Sequence, residues 1–160
     1  MNDCLRVTAS LRRLCVNLKS QVSYLNISEV DDLIPLPTTP GIYGIETTMP
    51  VSDLNAAIET ILGKNKGYVT DKPLIVEQNN NDFYLCYLGT EKSIRARLGQ
   101  HLFNKNKGKE KLGCDLTQEP FSNFSWRIWY YELPDITTRY AVESWWRYNI
   151  EWPPFCLRGS

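Results

Sequence analysis

Tyr43, Tyr87, Arg97, His101 and Glu143 are the residues of this chain whose types and order suit joint chemistry. An arginine presents a planar, always charged fork that clamps phosphate oxygens in a geometry lysine cannot copy. A glutamate is a hard oxygen ligand of the kind Mg²⁺ accepts while keeping most of its waters. Phenols orient or accept protons, but with a pKa near ~10 a tyrosine base needs help from a cation. An imidazole titrates near neutrality and can be a base or a phosphate ligand. Together these groups suit chemistry at a phosphate, where negative charge builds in the transition state and must be met by positive charge. Singly each is weak. A lone strand tyrosine is more often packing, and a lone histidine is more often a plain helix residue.

The elements that must position them follow from pattern. Ile42, Tyr43 and Ile45 have strand propensity, which predicts a first strand over 41–47 behind the proline-rich IPLPTTP. FYLCYLG, residues 83–89, is the clearest strand and carries Tyr87. KSIRARLGQHLF follows as a helix, with Ile94, Leu98, Leu102 and Phe103 facing inward. Arg97 and His101 are four apart and share a face of it; Arg95, two residues earlier, points elsewhere. FSWRIWYYEL, residues 124–133, reads as a third strand, one aromatic face of which packs inside. TRYAVESWWRYNI reads as a final helix capped by Thr137 or Thr138, ended by Pro153 and Pro154, and carrying Glu143. Trp145 and Trp146 beside Glu143 read as core. Before all this, residues 4–24 predict an amphipathic helix, and Ser28-Glu29 a short helix start. Between the first two strands, Ser52 is the expected cap of a helix, SDLNAAIETIL, and PLIVE suggests a short strand.

The ordered set GIYGI, CYLG, TEKSIRARLGQHL and ESWWRYNIEWPP resembles the GIY-YIG nuclease family over about residues 38–155. That family has a GIY strand, a YIG strand, an arginine on the next helix and a glutamate on a later one. The resemblance implies a metal-dependent DNA endonuclease with Tyr43, Tyr87, Arg97, His101 and Glu143 as catalytic residues. It implies Glu143 as the ligand of Mg²⁺ or Mn²⁺. Tyr43 would deprotonate or orient the attacking water and Tyr87 would position the phosphate; which of the tyrosines and histidine is the base stays open. The long separation of the two tyrosine motifs makes residues 48–80 an insertion, which favours the restriction-endonuclease-like branch. Where the family often has an asparagine after the last helix, Phe155-Cys156 stands here.

Composition sets the outer bounds. Hydrophobic residues are 42% and charged residues 22% of the chain, as in an ordinary globular domain. No apolar run approaches the ~20 residues needed to cross a bilayer, and the N-terminus lacks an apolar signal core, which points to the cytoplasm. Five cysteines without C-x-x-C spacing argue against a disulfide framework or structural zinc. The formal net charge of +0 is unlike a typical nucleic-acid-binding domain. Locally, however, Arg95, Lys105, Lys107, Lys109 and Lys111 crowd one segment, and they are the candidate contacts to a DNA backbone. The plainer reading of that run is a solvated loop.

The expected fold is α/β (α+β): a small three-stranded mixed or antiparallel sheet flanked by helices. A helix is inserted between the first two strands, and an N-terminal helix precedes them. Residues 1–160 would form one domain, with 1–37 a helical extension, 38–155 the core and 48–80 the insertion. The partner expected is DNA, not a membrane. Base reading is assigned to the 48–80 insertion and the 104–123 loop, and a homodimer would suit a palindromic site. Two other readings stand beside the nuclease: a non-catalytic DNA-binding module on this scaffold, and a small α/β interaction domain with structural tyrosines.

Overall fold

The computed structural model describes residues 3–62, 83–103 and 112–156, without the side chains of Ile61 and Leu62. In chain order its main elements are α1 (Asp3–Gln21), β1 (Leu25–Asn26), β2 (Gly41–Thr47), α2 (Val51–Leu62), β3 (Tyr84–Glu91), α3 (Ile94–Leu102), β4 (Trp126–Glu132) and α4 (Ile136–Asn149). One antiparallel sheet runs in the order β1-β4-β2-β3. It has four strands among the described residues, not the three expected. The extra one, β1, is two residues long, with Leu25 opposite Ile128 and Asn26 opposite Arg127. A pair of residues is too short for alternation to mark it in a sequence.

β2 lies between β4 and β3, and all seven of its residues are buried. Helices cover both of its faces, so polar alternation is not required of it. On one face Tyr43 and Ile45 pack with Ile94, Leu98 and Leu102 of α3. On the other, Ile42 packs with Leu88, Trp129, Val142 and Trp146, and with Cys15 and Leu18 of α1. Gly44 is set by that second face: a Cβ there would lie 2.2 Å from the Trp129 indole.

The helix ends follow local rules with two departures. Ser93 caps α3, its hydroxyl accepting from the amide of Ala96 at 3.4 Å. The cap of α4 is Asp135, which accepts from the Thr138 amide at 2.7 Å, so neither threonine caps that helix. A carboxylate is the stronger acceptor for the exposed first-turn amides. α2 begins at Val51, which puts Ser52 inside its first turn, and the carbonyl of Pro50 takes the Leu54 amide. The short helix after Ser28 is a 3-10 turn, Val30–Leu33, held by reciprocal Glu29 and Asp32 bonds. The front of α1 does not pack: Leu5 and Val7 are exposed. The strand expected at PLIVE, the rest of the 48–80 insertion and Lys105 to Lys111 lie outside the described residues.

Among the described residues β3 is an edge strand, and the C-terminal segment covers it. The Phe155 amide donates to the Cys86 carbonyl at 3.1 Å. Cys156 Sγ lies 3.1 Å from both the amide and the carbonyl of Leu88. Edge strands left bare invite pairing with other chains, and this return blunts the edge. No described helix is long and apolar enough to cross a membrane.

Candidate active site

The register of β2 and β3 builds the site. Tyr43 stands opposite Gly89, and Ile45 opposite Tyr87. The next pair is Glu46 with Leu85, so Cys86 is the additional residue of a bulge. The bulge places Cys86 and Tyr87 on the face that α3 covers, while Leu85 joins the other face. Tyr87 is thereby the diagonal neighbour of Tyr43, and their rings stack with centroids 6.4 Å apart. A Cβ at Gly89 would lie 2.6 Å from the Tyr43 hydroxyl oxygen. The glycine of the second motif is the floor on which the first motif's phenol rests.

His101 completes this group from α3. Its Nε2 is 3.0 Å from the Tyr43 hydroxyl, and its ring centroid is 4.4 Å from that of Tyr87. Its Nδ1 accepts the Leu112 amide at 2.9 Å. An amide can only donate, so Nδ1 carries no proton. In the neutral ring the proton is then on Nε2, aimed at the Tyr43 oxygen. His101 is fully buried behind Tyr43. Helical spacing puts His101 on the face of Arg97, and the structure sets it against the phenol, not open solvent.

Arg97 lies on the same face. Its Nε is 3.7 Å from Glu91 Oε2, and its Nη1 donates to Gln100 Oε1 at 3.3 Å. Tyr43 is 1% exposed, and burial drives its pKa well above the ordinary value. Tyr87 and Glu143 add to that rise, and the Arg97 guanidinium opposes it. Tyr87 is raised for the same first reason, with Cys156 and Glu143 adding and Arg147 and Arg97 opposing. Both phenols are therefore neutral at rest. Burial lowers the pKa of Arg97, but Tyr43, Tyr87 and Glu91 outweigh it.

Glu143 comes from α4, which packs on the opposite face, and it reaches the site at the β3 edge. Thr90 shares the face of Leu88 and donates to Glu143 Oε2 at 2.8 Å. The next residue, Glu91, shares the face of Tyr43 and meets Arg97. One step along the strand thus separates the arginine side from the glutamate side. Glu143 Oε1 is ion-paired with Arg147 one helical turn on. Arg147 also donates to the Leu88 carbonyl at 2.7 Å.

The described residues contain no group of three or more histidine, cysteine or acidic side chains suited to a metal. A cation here would rest on the Glu143 carboxylate with the Thr90 hydroxyl beside it. That oxygen set fits a hard divalent ion that keeps most of its water, and not zinc or another thiolate- or imidazole-bound metal.

Of the remaining expectations, Arg95 is occupied within the fold: its Nε donates to the Leu36 carbonyl at 2.7 Å and ties α3 to the proline-rich segment. Trp146 and Trp129 are core, their rings tilted at 31° with centroids 5.1 Å apart, and Trp145 is half-buried against them. Sequence reasoning missed Thr90, Glu91, Arg147 and Cys156. Arg147 carried a signal, standing four residues after Glu143 on one helix. Cys156 carried none: its contact with Leu88 depends on where the chain returns.

Comparison with known proteins finds no matching family model, no matching curated protein and no matching solved structure.

Proposed function

We propose that this chain is a divalent-cation-dependent DNA endonuclease of the GIY-YIG kind, with site-specific, restriction-type cutting as the favoured form. The observation that carries this reading is the assembly around β3. Tyr43, Tyr87, His101 and Arg97 gather on one side and Glu143 on the other, from four separate elements. Titratable groups with shifted pKa values that converge from separate elements are characteristic of active sites.

The reaction is hydrolysis of a phosphodiester. A water oxygen forms a bond to phosphorus and gives up one proton to bulk solvent, while the bond to the 3′ oxygen breaks and that oxygen takes up one proton from solvent. Arg97 turns from Glu91 to the phosphate and neutralises the charge that grows on its oxygens. Tyr43 orients the water as a neutral phenol, because burial holds its proton on. His101 donates to the Tyr43 oxygen, which fixes the ring and leaves the phenolic proton free to point at water or phosphate. Tyr87, partly exposed beside both, offers its hydroxyl to a phosphate oxygen. Glu143, steadied by Thr90, would hold the Mg²⁺ or Mn²⁺. When bound, that ion supplies charge neutralisation at the phosphate and lowers the pKa of coordinated water.

The test is cleavage of varied plasmids by purified protein with and without Mg²⁺, beside a Glu143→Ala variant. The reading expects cutting that needs both the ion and Glu143. Discrete fragments favour a restriction-type enzyme; nicking or smearing favours a less specific one. Specific observations support a second reading, a DNA-binding module without catalysis. Tyr43 is almost wholly enclosed, and both Glu143 oxygens are already engaged. That reading expects retention of DNA in a gel shift with no Mg²⁺-dependent cutting.

A further inference from the structure

Both oxygens of Glu143 are spoken for by the chain itself. Thr90 holds Oε2 with a neutral hydroxyl, and Arg147 holds Oε1 with a full positive charge. The two partners differ in consequence. A hydroxyl steadies a carboxylate without cancelling its charge, and it can remain when a cation arrives. A guanidinium cancels the charge and stands on the oxygen a cation would take. Mg²⁺ sits about 2.0–2.1 Å from its oxygen ligands, which leaves no room for a guanidinium on that oxygen.

Arg147 is not held there by its own needs alone. It is anchored by the Leu88 carbonyl at 2.7 Å, on the edge strand that carries Tyr87. Its Nε is buried with no hydrogen-bond partner among the described residues. What pins the guanidinium is the Glu143 carboxylate on one side, the β3 carbonyl on the other and the Cys156 thiol beside them. Pairing at four residues' spacing with side chains only 19% and 13% exposed makes this a contact that water screens weakly.

We infer that Arg147 is the resident counter-ion of Glu143, a positioning residue that a divalent cation must displace. Cation loading at this carboxylate is therefore weak until a phosphate is also present to take up the second positive charge. The inference rests on the nuclease reading for both its phosphate and its cation. The coupling has a chemical use: the ion is held firmly only when a backbone phosphate is in place to use it. Arg147 in turn keeps Glu143 extended toward β3 while the site is empty of DNA.

Mn²⁺ serves as the probe, its binding to the full chain followed by electron paramagnetic resonance, with folding checked by thermal melting. Without DNA, Arg147→Gln should bind Mn²⁺ about tenfold more tightly than the wild type, because a unit charge beside the carboxylate is gone. Arg147→Lys, which keeps the charge, should stay near wild type, and Glu143→Gln should lose the site. Arg147→Met keeps the aliphatic stem and replaces the glutamine variant if that one does not fold. A duplex with non-hydrolysable phosphorothioate linkages should tighten Mn²⁺ binding in the wild type far more than in Arg147→Gln. Equal or weaker Mn²⁺ binding by the neutral variants, or binding unaffected by Glu143→Gln, overturns the inference. Failure of the nuclease reading shows differently, as a wild type that does not cut plasmid with Mg²⁺ whatever the Mn²⁺ affinities are.

Discussion

The Tyr43 hydroxyl oxygen lies 3.0 Å from His101 Nε2, while the other ring nitrogen of His101 accepts the Leu112 amide. That second bond decides the direction of the first: the imidazole donates, and the phenol accepts. Removing the donor should raise the Tyr43 pKa further, because a phenolate loses more than a phenol does. His101→Leu should then move the phenolate titration profile of Tyr43 upward. On the nuclease reading Tyr43→Phe should lower the cleavage rate ~10²–10⁴-fold, and by removing the acceptor of a buried hydrogen bond it should cost ~1–3 kcal/mol of stability. Ultraviolet titration of phenolate formation in His101→Leu and wild type checks the sign independently of activity. An unmoved profile would mean that His101 only packs.

Gly89 is the next position to probe. Its missing side chain is the space in which the Tyr43 hydroxyl sits, 2.6 Å from where a Cβ would be. Gly89→Ala should push the phenol off His101 and out of line. Displacement of a reacting group by a fraction of an ångström to an ångström costs up to ~10²-fold in rate. The stability loss should be the ordinary ~1–3 kcal/mol of overpacking. Single-turnover cleavage and a urea melt, run together, separate the two.

Arg97→Lys keeps charge but loses the fork. The expected result is a fall in the cleavage rate of ~10–10²-fold with DNA affinity reduced much less, since a point charge still attracts the backbone. A gel shift in Ca²⁺ beside cleavage in Mg²⁺ reads both. Equal loss of binding and cutting would make Arg97 a docking residue only.

Glu151 supplies a pH dependence of stability. Burial raises its pKa from 4.5 to about 7, with Glu46 adding to the rise and Lys19 opposing it. The folded state holds its proton more tightly than the unfolded chain does. Its stabilising contribution is therefore complete below the unfolded value of 4.5 and is lost as pH rises through about 7. The loss should be at most ~3 kcal/mol, from ~1.4 kcal/mol per pKa unit. Glu151→Gln, neutral at every pH, should flatten the fall. Denaturant melts of both proteins at pH 5 and pH 8 measure it.

Much of this was legible from local pattern. Strand periodicity placed Tyr43 and Tyr87, helical spacing put Arg97 and His101 on one face, and the apolar face of α3 came out as read: Ile94, Leu98, Leu102 and Phe103 are buried. Such patterns are written within a few residues, because they report which side of a helix or strand faces the core. β1 escaped for the opposite reason, being a strand only by virtue of its partner.

By itself the sequence determined which elements form and which polar residues each one carries. Only the tertiary structure decided what those residues face. The pairing of Ile45 with Tyr87 sets Tyr87 diagonal to Tyr43, and consecutive residues Thr90 and Glu91 serve opposite sides of the sheet. His101 donates to a phenol 58 positions away, and Cys156 clasps Leu88 across 68. These relations depend on strand register and on where a distant segment returns. Both are settled by the packing of the whole core, so no short stretch of residues contains them.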